Sequence, residues 1–241
     1  AWTCTLPLPY NKQITTFNDD RSAVQIADGI SIPAELFEQS IEAGGIPFRM
    51  GNAGEANAVA CAGQEIFLPE GAKKLHILAA SATGDRTVSL TLDGQPVSLS
   101  VQDYRENVGS WDMLAAGTSC RLKRDDIAVC YTHTHDAQGD RLYLFAYLFK
   151  YTLDVTGVHT VRLPDDASIL VAAATASGSD ALCAPARPLY DRVEQSGKAV
   201  HHLEAVNALG SGDYEEGRVV LVSADYFRDG KLFDAWEGDG I

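Results

Sequence analysis

The sequence predicts an all-β protein: an antiparallel β-sandwich followed by a small C-terminal β module. Three observations carry the prediction. Short runs alternate polar and apolar residues, turn signals recur about every ten residues, and helix signals are few. There is no βαβ alternation and no GxGxxG or P-loop pattern, so nucleotide-dependent chemistry is not expected.

Taken in order, the first element is Pro33-Ala34-Glu35-Leu36-Phe37, where proline at the first position opens one short helical turn. The segment from Phe67 to Ala80 reads as strand, Leu68-Pro69 turn and buried strand, and Arg162 to Ala173 repeats that order around Leu163-Pro164. Proline ends ladder donation in each, and the acidic turn that follows redirects the chain. Between them, Val88, Leu90 and Leu92 alternate with polar residues, Asp93-Gly94 supplies a turn, and Val97, Leu99 and Val101 alternate again. That is a two-stranded hairpin with one wet face on each strand. From Leu142 to Tyr151 the odd positions are Tyr143, Phe145, Tyr147, Phe149 and Tyr151, and the even ones are mainly aliphatic. Such a strand is covered on both faces and suits the centre of a sheet, its aromatic row serving core packing in preference to sugar stacking. Near Ala184-Pro185-Ala186-Arg187-Pro188 the texture becomes that of a linker, so residues 1–185 are read as the sandwich and 186–241 as linker plus small module.

The chain has 241 residues, with 19 Lys and Arg against 33 Asp and Glu, a net charge of −14. That balance argues against nucleic acid, which requires clustered cations on phosphates. The longest apolar stretch, Leu142–Phe149, is far short of the roughly 18 residues of a membrane span. The N-terminus has neither a basic nor an apolar leader region, so it is not read as an intact signal peptide; a mature product or a piece of a longer chain is expected. The five cysteines are too widely spaced for a zinc ribbon or a redox pair. Cys120 and Cys130 flank a basic turn, a spacing compatible with a bridge between adjacent strands or with separate thiols.

The sharpest local pattern is Tyr131-Thr132-His133-Thr134-His135-Asp136, followed by Gly139-Asp140. On a strand, His133 and His135 point to one face, as two metal ligands do. A cupin-type site needs a glutamate shortly after them, and neither Gln138 nor Gly139 supplies it. Three readings stay open: a catalytic metal, a ligand-contacting pair, or structural histidines at a strand end. Trp111 and Asp112, preceded by Tyr104, offer the aromatic-plus-carboxylate combination of lectin-like sites, against the simpler reading of a Trp packed over a sandwich edge. Paired acids are most simply solvated turn residues; Asp19 and Asp20 are candidates for a calcium site, and no other cofactor is expected. No GxSxG is present, and no pair of carboxylates stands out as a general acid and base.

The order Asn57-Ala58-Val59-Ala60, Gly63-Gln64, Leu68-Pro69, Leu78-Ala79-Ala80, Gly109-Ser110-Trp111-Asp112, Thr132-His133-Thr134-His135, Gly139-Asp140, Tyr147 to Tyr151 and Leu163-Pro164 resembles the accessory β-sandwich of large bacterial glycoside hydrolases, notably α-mannosidase-like proteins. The resemblance covers roughly residues 6–178. It implies a galactose-binding-like jelly roll with a non-catalytic role beside a hydrolase, and it carries over no binding residues. The tail from Gly210 to Ala224, with Phe233-Asp234-Ala235-Trp236, is similar to the divergent repeats of bacterial cell-surface proteins. It implies a chain cut from a longer exported polypeptide.

The expected function is therefore a non-catalytic, carbohydrate-binding accessory region of a secreted or cell-surface bacterial glycoside hydrolase. Its partner is a glycan or the catalytic domain of its own polypeptide. The alternatives are a metal-dependent enzyme built on His133 and His135, and a module for cell-surface adhesion or structure. His133, His135, Trp111, Asp112 and Tyr104 are the candidate ligand contacts.

Overall fold

The computed structural model describes residues 2–21, 26–105 and 125–178, and the backbone of 109–110, 121–122, 200–202 and 219–221. Trp111, Asp112, Cys120 and most of the repeat-like tail lie outside the described residues. The chain divides into two compact units, Ala1–Asn107 with Asp125–Ala186, and Val108–Arg124 with Arg187–Ile241.

The strands of the first part are β1 (Thr3–Leu6), β2 (Thr15–Thr16), β3 (Ile32–Pro33), β4 (Ser40–Ala43), β5 (Ile46–Arg49), β6 (Val59–Ala60), β7 (Glu65–Phe67), β8 (Lys74–Ser81), β9 (Arg86–Leu92) and β10 (Gln95–Val101). There follow β11 (Gly109–Ser110), β12 (Arg121–Leu122), β13 (Asp126–His135), β14 (Asp140–Asp154), β15 (Thr160–Arg162), β16 (Ile169–Ser177), β17 (Val200–His202) and β18 (Val219–Leu221). In the second unit β11 pairs antiparallel with β12, and β17 pairs parallel with β18.

The first unit is an antiparallel β-sandwich. One sheet has the order β1-β16-β8-β14-β13, with β6 also on β16, and the other the order β10-β9-β15-β7. Ile66, Leu90 and Val161 of the smaller sheet share a single buried core with Leu75, Ile77, Phe149 and Val171 of the larger. Each fully buried aliphatic or aromatic side chain there stabilises by about 1.5–3 kcal/mol. The expected hairpin is β9–β10, its Asp93 and Gly94 at φ +46 and +81 as a twisted two-residue turn requires. The two Leu-Pro segments are structural counterparts: each leaves the smaller sheet after β7 or β15 and enters the larger as β8 or β16, and both pairs are hydrogen-bonded neighbours. Proline, with no N–H to donate, stands where the chain changes sheets. Among the described residues of the first 50, the only helical turn is the 3-10 turn Ala34–Leu36, directly after Pro33.

All nine residues of β16 are buried. The smaller sheet covers one face, and on the other Thr175 donates to the Pro47 carbonyl of β5 at 2.7 Å. This outer layer is organised by Asn57, itself fully buried. Its Oδ1 accepts from Ile14 N, and its Nδ2 donates to Thr15 Oγ1 and the Asn52 carbonyl.

The long aromatic strand departs from simple alternation. Only Phe149 and Lys150 of β14 are paired on both sides, with β8 and β13; residues 151–154 pair with β8 alone and the first part of the strand with β13 alone. There the register slips: Tyr131 faces Ala146 but His133 faces Leu142, so three residues of β14 stand opposite Thr132. Tyr147, Phe149 and Tyr151 are buried, whereas Leu142 is exposed and Tyr143, at φ +64, is 90% exposed. A bulge of this kind breaks the period of two and turns side chains out of the face that alternation assigns them.

Candidate metal and ligand centre at the end of the long hairpin

The β13–β14 hairpin is closed by Asp136. Its Oδ1 accepts from Gln138 N at 2.8 Å and Gly139 N at 2.9 Å, and its Oδ2 pairs with Arg141 at 3.1 Å. The Gln138 N–H bond, reinforced by Arg141 and the Gly139 N–H, holds this carboxyl below the usual carboxylate range. The turn sets the register that places Asp140 directly opposite His135.

His135 is fully buried. Ser31 clamps its backbone through two hydrogen bonds, N to O at 3.0 Å and O to N at 2.9 Å. Its Nδ1 lies 3.1 Å from Thr16 Oγ1, which is in turn 2.6 Å from Ser31 Oγ. Its Nε2 is buried and makes no hydrogen bond among the described residues, although Asp140 Oδ1 stands 3.4 Å away. His133, two residues back on the same face, is partly exposed; the two rings are 5.8 Å apart and tilted by 47°. Its Nε2 is 4.0 Å from Asp140 Oδ2. Donor atoms of His133, His135 and Asp140 all lie within 4.8 Å of one another.

Arg21 completes the group by donating from Nη2 to Asp140 Oδ1 at 2.7 Å. That bond depresses the Asp140 carboxyl, with the nearby histidines contributing. Burial lowers the His135 pKa first, the Arg21 charge lowers it further, and Asp140 and Glu35 oppose them. The site at neutral pH is therefore an ionised carboxylate, a neutral buried imidazole and a guanidinium. It is suited to holding a cation or to exchanging hydrogen bonds with a polyhydroxylated ligand.

The other candidates fall elsewhere. Tyr104 is 2% exposed, Arg105 lies 5.4 Å over its ring, and its hydroxyl is buried without a partner among the described residues. Its ring is a core element and has no open face for sugar stacking, a correction to the lectin-like reading. Burial also pushes its hydroxyl pKa up to about 12. Trp111 and Asp112 lie outside the described residues. Asp19 and Asp20 are exposed on the turn closed by Asp20 N donating to the Phe17 carbonyl. Among the described residues they join no group of three His, Cys, Asp or Glu ligands.

Sequence reasoning found the two histidines but not their acidic partner, Asp140, nor Arg21 and Tyr143. Asp140 carries a usable signal: an Asp-x-x-Gly turn directly after His135 pairs the next residue with that histidine. Arg21 lies 119 residues from Asp140 and gives no such signal.

The chain matches the family described as AziU2-like beta-sandwich domain over residues 2–180. No curated protein matches it. The family match spans the whole described sandwich, including His133, His135 and Asp140, and the chain belongs to the AziU2-like β-sandwich domain family.

Proposed function

We propose that the sandwich is a non-catalytic recognition module that holds a glycan at the end of the β13–β14 hairpin, as the accessory part of an exported bacterial glycan-degrading polypeptide. The observation that carries the reading is Tyr143. A tyrosine 90% exposed and held at φ +64 is costly to display, and it stands one residue from Leu142, the partner of His133. Aromatic faces stack on the C–H surfaces of sugars, while His133, Asp140 and Arg141 supply donors and acceptors for hydroxyl groups. Weak binding of this kind works by tethering, which raises the local concentration of substrate around a linked catalytic domain.

A glycan array followed by titration calorimetry on the whole chain tests the proposal. Saturable binding that is lost in Tyr143→Ala supports it. Binding to no glycan, or binding unchanged in that variant, overturns it and leaves packing against a catalytic domain as the role of the module.

A second reading, a metal-dependent enzyme using His133 and His135, is favoured by one observation: Asp140 joins the two histidines as a third potential ligand. It requires turnover of a substrate by the metal-loaded chain, abolished in His133→Ala.

A further inference from the structure

We infer that His133, His135 and Asp140 form a binding site for one first-row divalent cation, with zinc the natural probe. The inference goes beyond the glycan reading and stands without it.

The first support is the chemistry of the donor set. Two imidazoles and one carboxylate suit zinc and its neighbours in the first row, whereas calcium takes six to eight oxygens. The second is geometry. A tetrahedral ion about 2.1 Å from each ligand sets neighbouring ligand atoms about 3.4 Å apart. The His135 Nε2 to Asp140 Oδ1 distance is 3.4 Å, and the His133 Nε2 to Asp140 Oδ2 distance is 4.0 Å. His133 lies on the open side, where its ring can turn to close the wider gap.

The third support is independent of both. His135 is 0% exposed, yet its Nε2 has no hydrogen-bond partner among the described residues. A buried imidazole nitrogen without a partner costs free energy unless something else engages it. Its other nitrogen is already committed to Thr16 Oγ1 at 3.1 Å; in the tautomer in which Nδ1 donates that bond, Nε2 directs its lone pair toward Asp140 and His133. Metal-binding histidines are held in this way, one ring nitrogen fixed by a protein partner and the other directed at the ion. Asp140 is oriented likewise: Arg21 donates to Oδ1 and so fixes a carboxylate whose Oδ1 stands 3.4 Å from His135 Nε2 and whose Oδ2 stands 4.0 Å from His133 Nε2. Three ligands on one side, with His133 and Asp140 partly exposed, leave at least one coordination position open to water or to a hydroxyl of a bound ligand.

The test is calorimetric titration of Zn²⁺ into the whole, untagged chain after chelator treatment, with Co²⁺ substitution followed by absorption spectroscopy. One ion per chain is expected, with micromolar or tighter affinity and a Co²⁺ spectrum free of thiolate charge-transfer bands. Asp140→Asn keeps the shape of the exposed side chain and His133→Ala truncates a partly exposed one, so neither disturbs the core. Each is expected to weaken zinc by at least about tenfold while the metal-free variants still unfold in one cooperative thermal transition. The absence of saturable binding, affinity unchanged in both variants, or a thiolate band placing the ion on cysteine would each overturn the inference.

Discussion

Replacing Tyr143 by glycine and, separately, by alanine distinguishes the backbone cost at this position from the contribution of the side chain. At φ +64 a residue with a Cβ carries about 1–2 kcal/mol that glycine does not. Glycine also loosens the unfolded chain, which offsets roughly 0.5–1 kcal/mol of that gain. Because the tyrosine is 90% exposed, truncation to alanine removes almost no buried area and should change stability by no more than about 0.5 kcal/mol. The glycine variant is therefore expected to be more stable than the alanine variant by about 0.5–1 kcal/mol, a rise in Tm of roughly 1–4 °C for a chain of this size. Urea unfolding reads this as a shift of midpoint at constant m. Both variants should lose glycan binding, so the more stable protein is inactive. Equal stabilities, or a glycine variant less stable than the alanine one, would refute the left-handed conformation and with it the argument that tyrosine is displayed there at a cost.

Three other outcomes follow from buried polar groups. Asn57→Ala removes three hydrogen bonds and strands the Ile14 N–H, so urea unfolding should show a loss of about 2–4 kcal/mol. Zinc affinity should fall in the same variant, because Asn57 holds Thr15, the neighbour of the Thr16 that fixes His135; a loss under about 0.5 kcal/mol would contradict the role of Asn57 as organiser. Gly51→Ala would place a Cβ 2.9 Å from both Cα and Cβ of the same Asn57, and the overpacking should cost about 1–3 kcal/mol by the same assay. His76 is fully buried, and burial, with the charges of Lys150 and Lys74, lowers its pKa from 6.5 to about 4. Between these values the unfolded chain binds a proton that the folded one does not, so stability is retained above pH 6.5 and lost as the pH falls toward 4. The loss amounts to about 3 kcal/mol at most, and His76→Gln should flatten the dependence of urea midpoint on pH through that window. An unchanged slope would show that other groups set it.

Much of the sandwich was legible because its strands obey local rules. Asp93-Gly94 between two alternating runs states a hairpin, and the repeated Leu-Pro segments mark the two points where the chain passes from one sheet to the other. The end of the long hairpin was less legible. Alternation from Leu142 to Tyr151 says that Tyr143 shares a face with Phe149, but three residues of β14 bulge opposite Thr132. Neither strand's own pattern of polar and apolar residues marks that slip of register. The same holds at the site. His133 and His135 advertise themselves through their spacing, whereas Arg21, Thr16 and Ser31 reach it through folding of the N-terminal layer around Asn57. Tyr104 was misplaced because an aromatic beside acids reads alike on a surface and in a core; burial decides which it is.

Amide hydrogen exchange of the whole chain, with and without the best ligand from the glycan array, tests whether the end of the β13–β14 hairpin is the face that recognises ligand. Added protection is expected to concentrate in residues 131–145 and in the segment around Ser31 that hydrogen-bonds to His135. Protection confined to β10-β9-β15-β7, with the hairpin end unchanged, would contradict it.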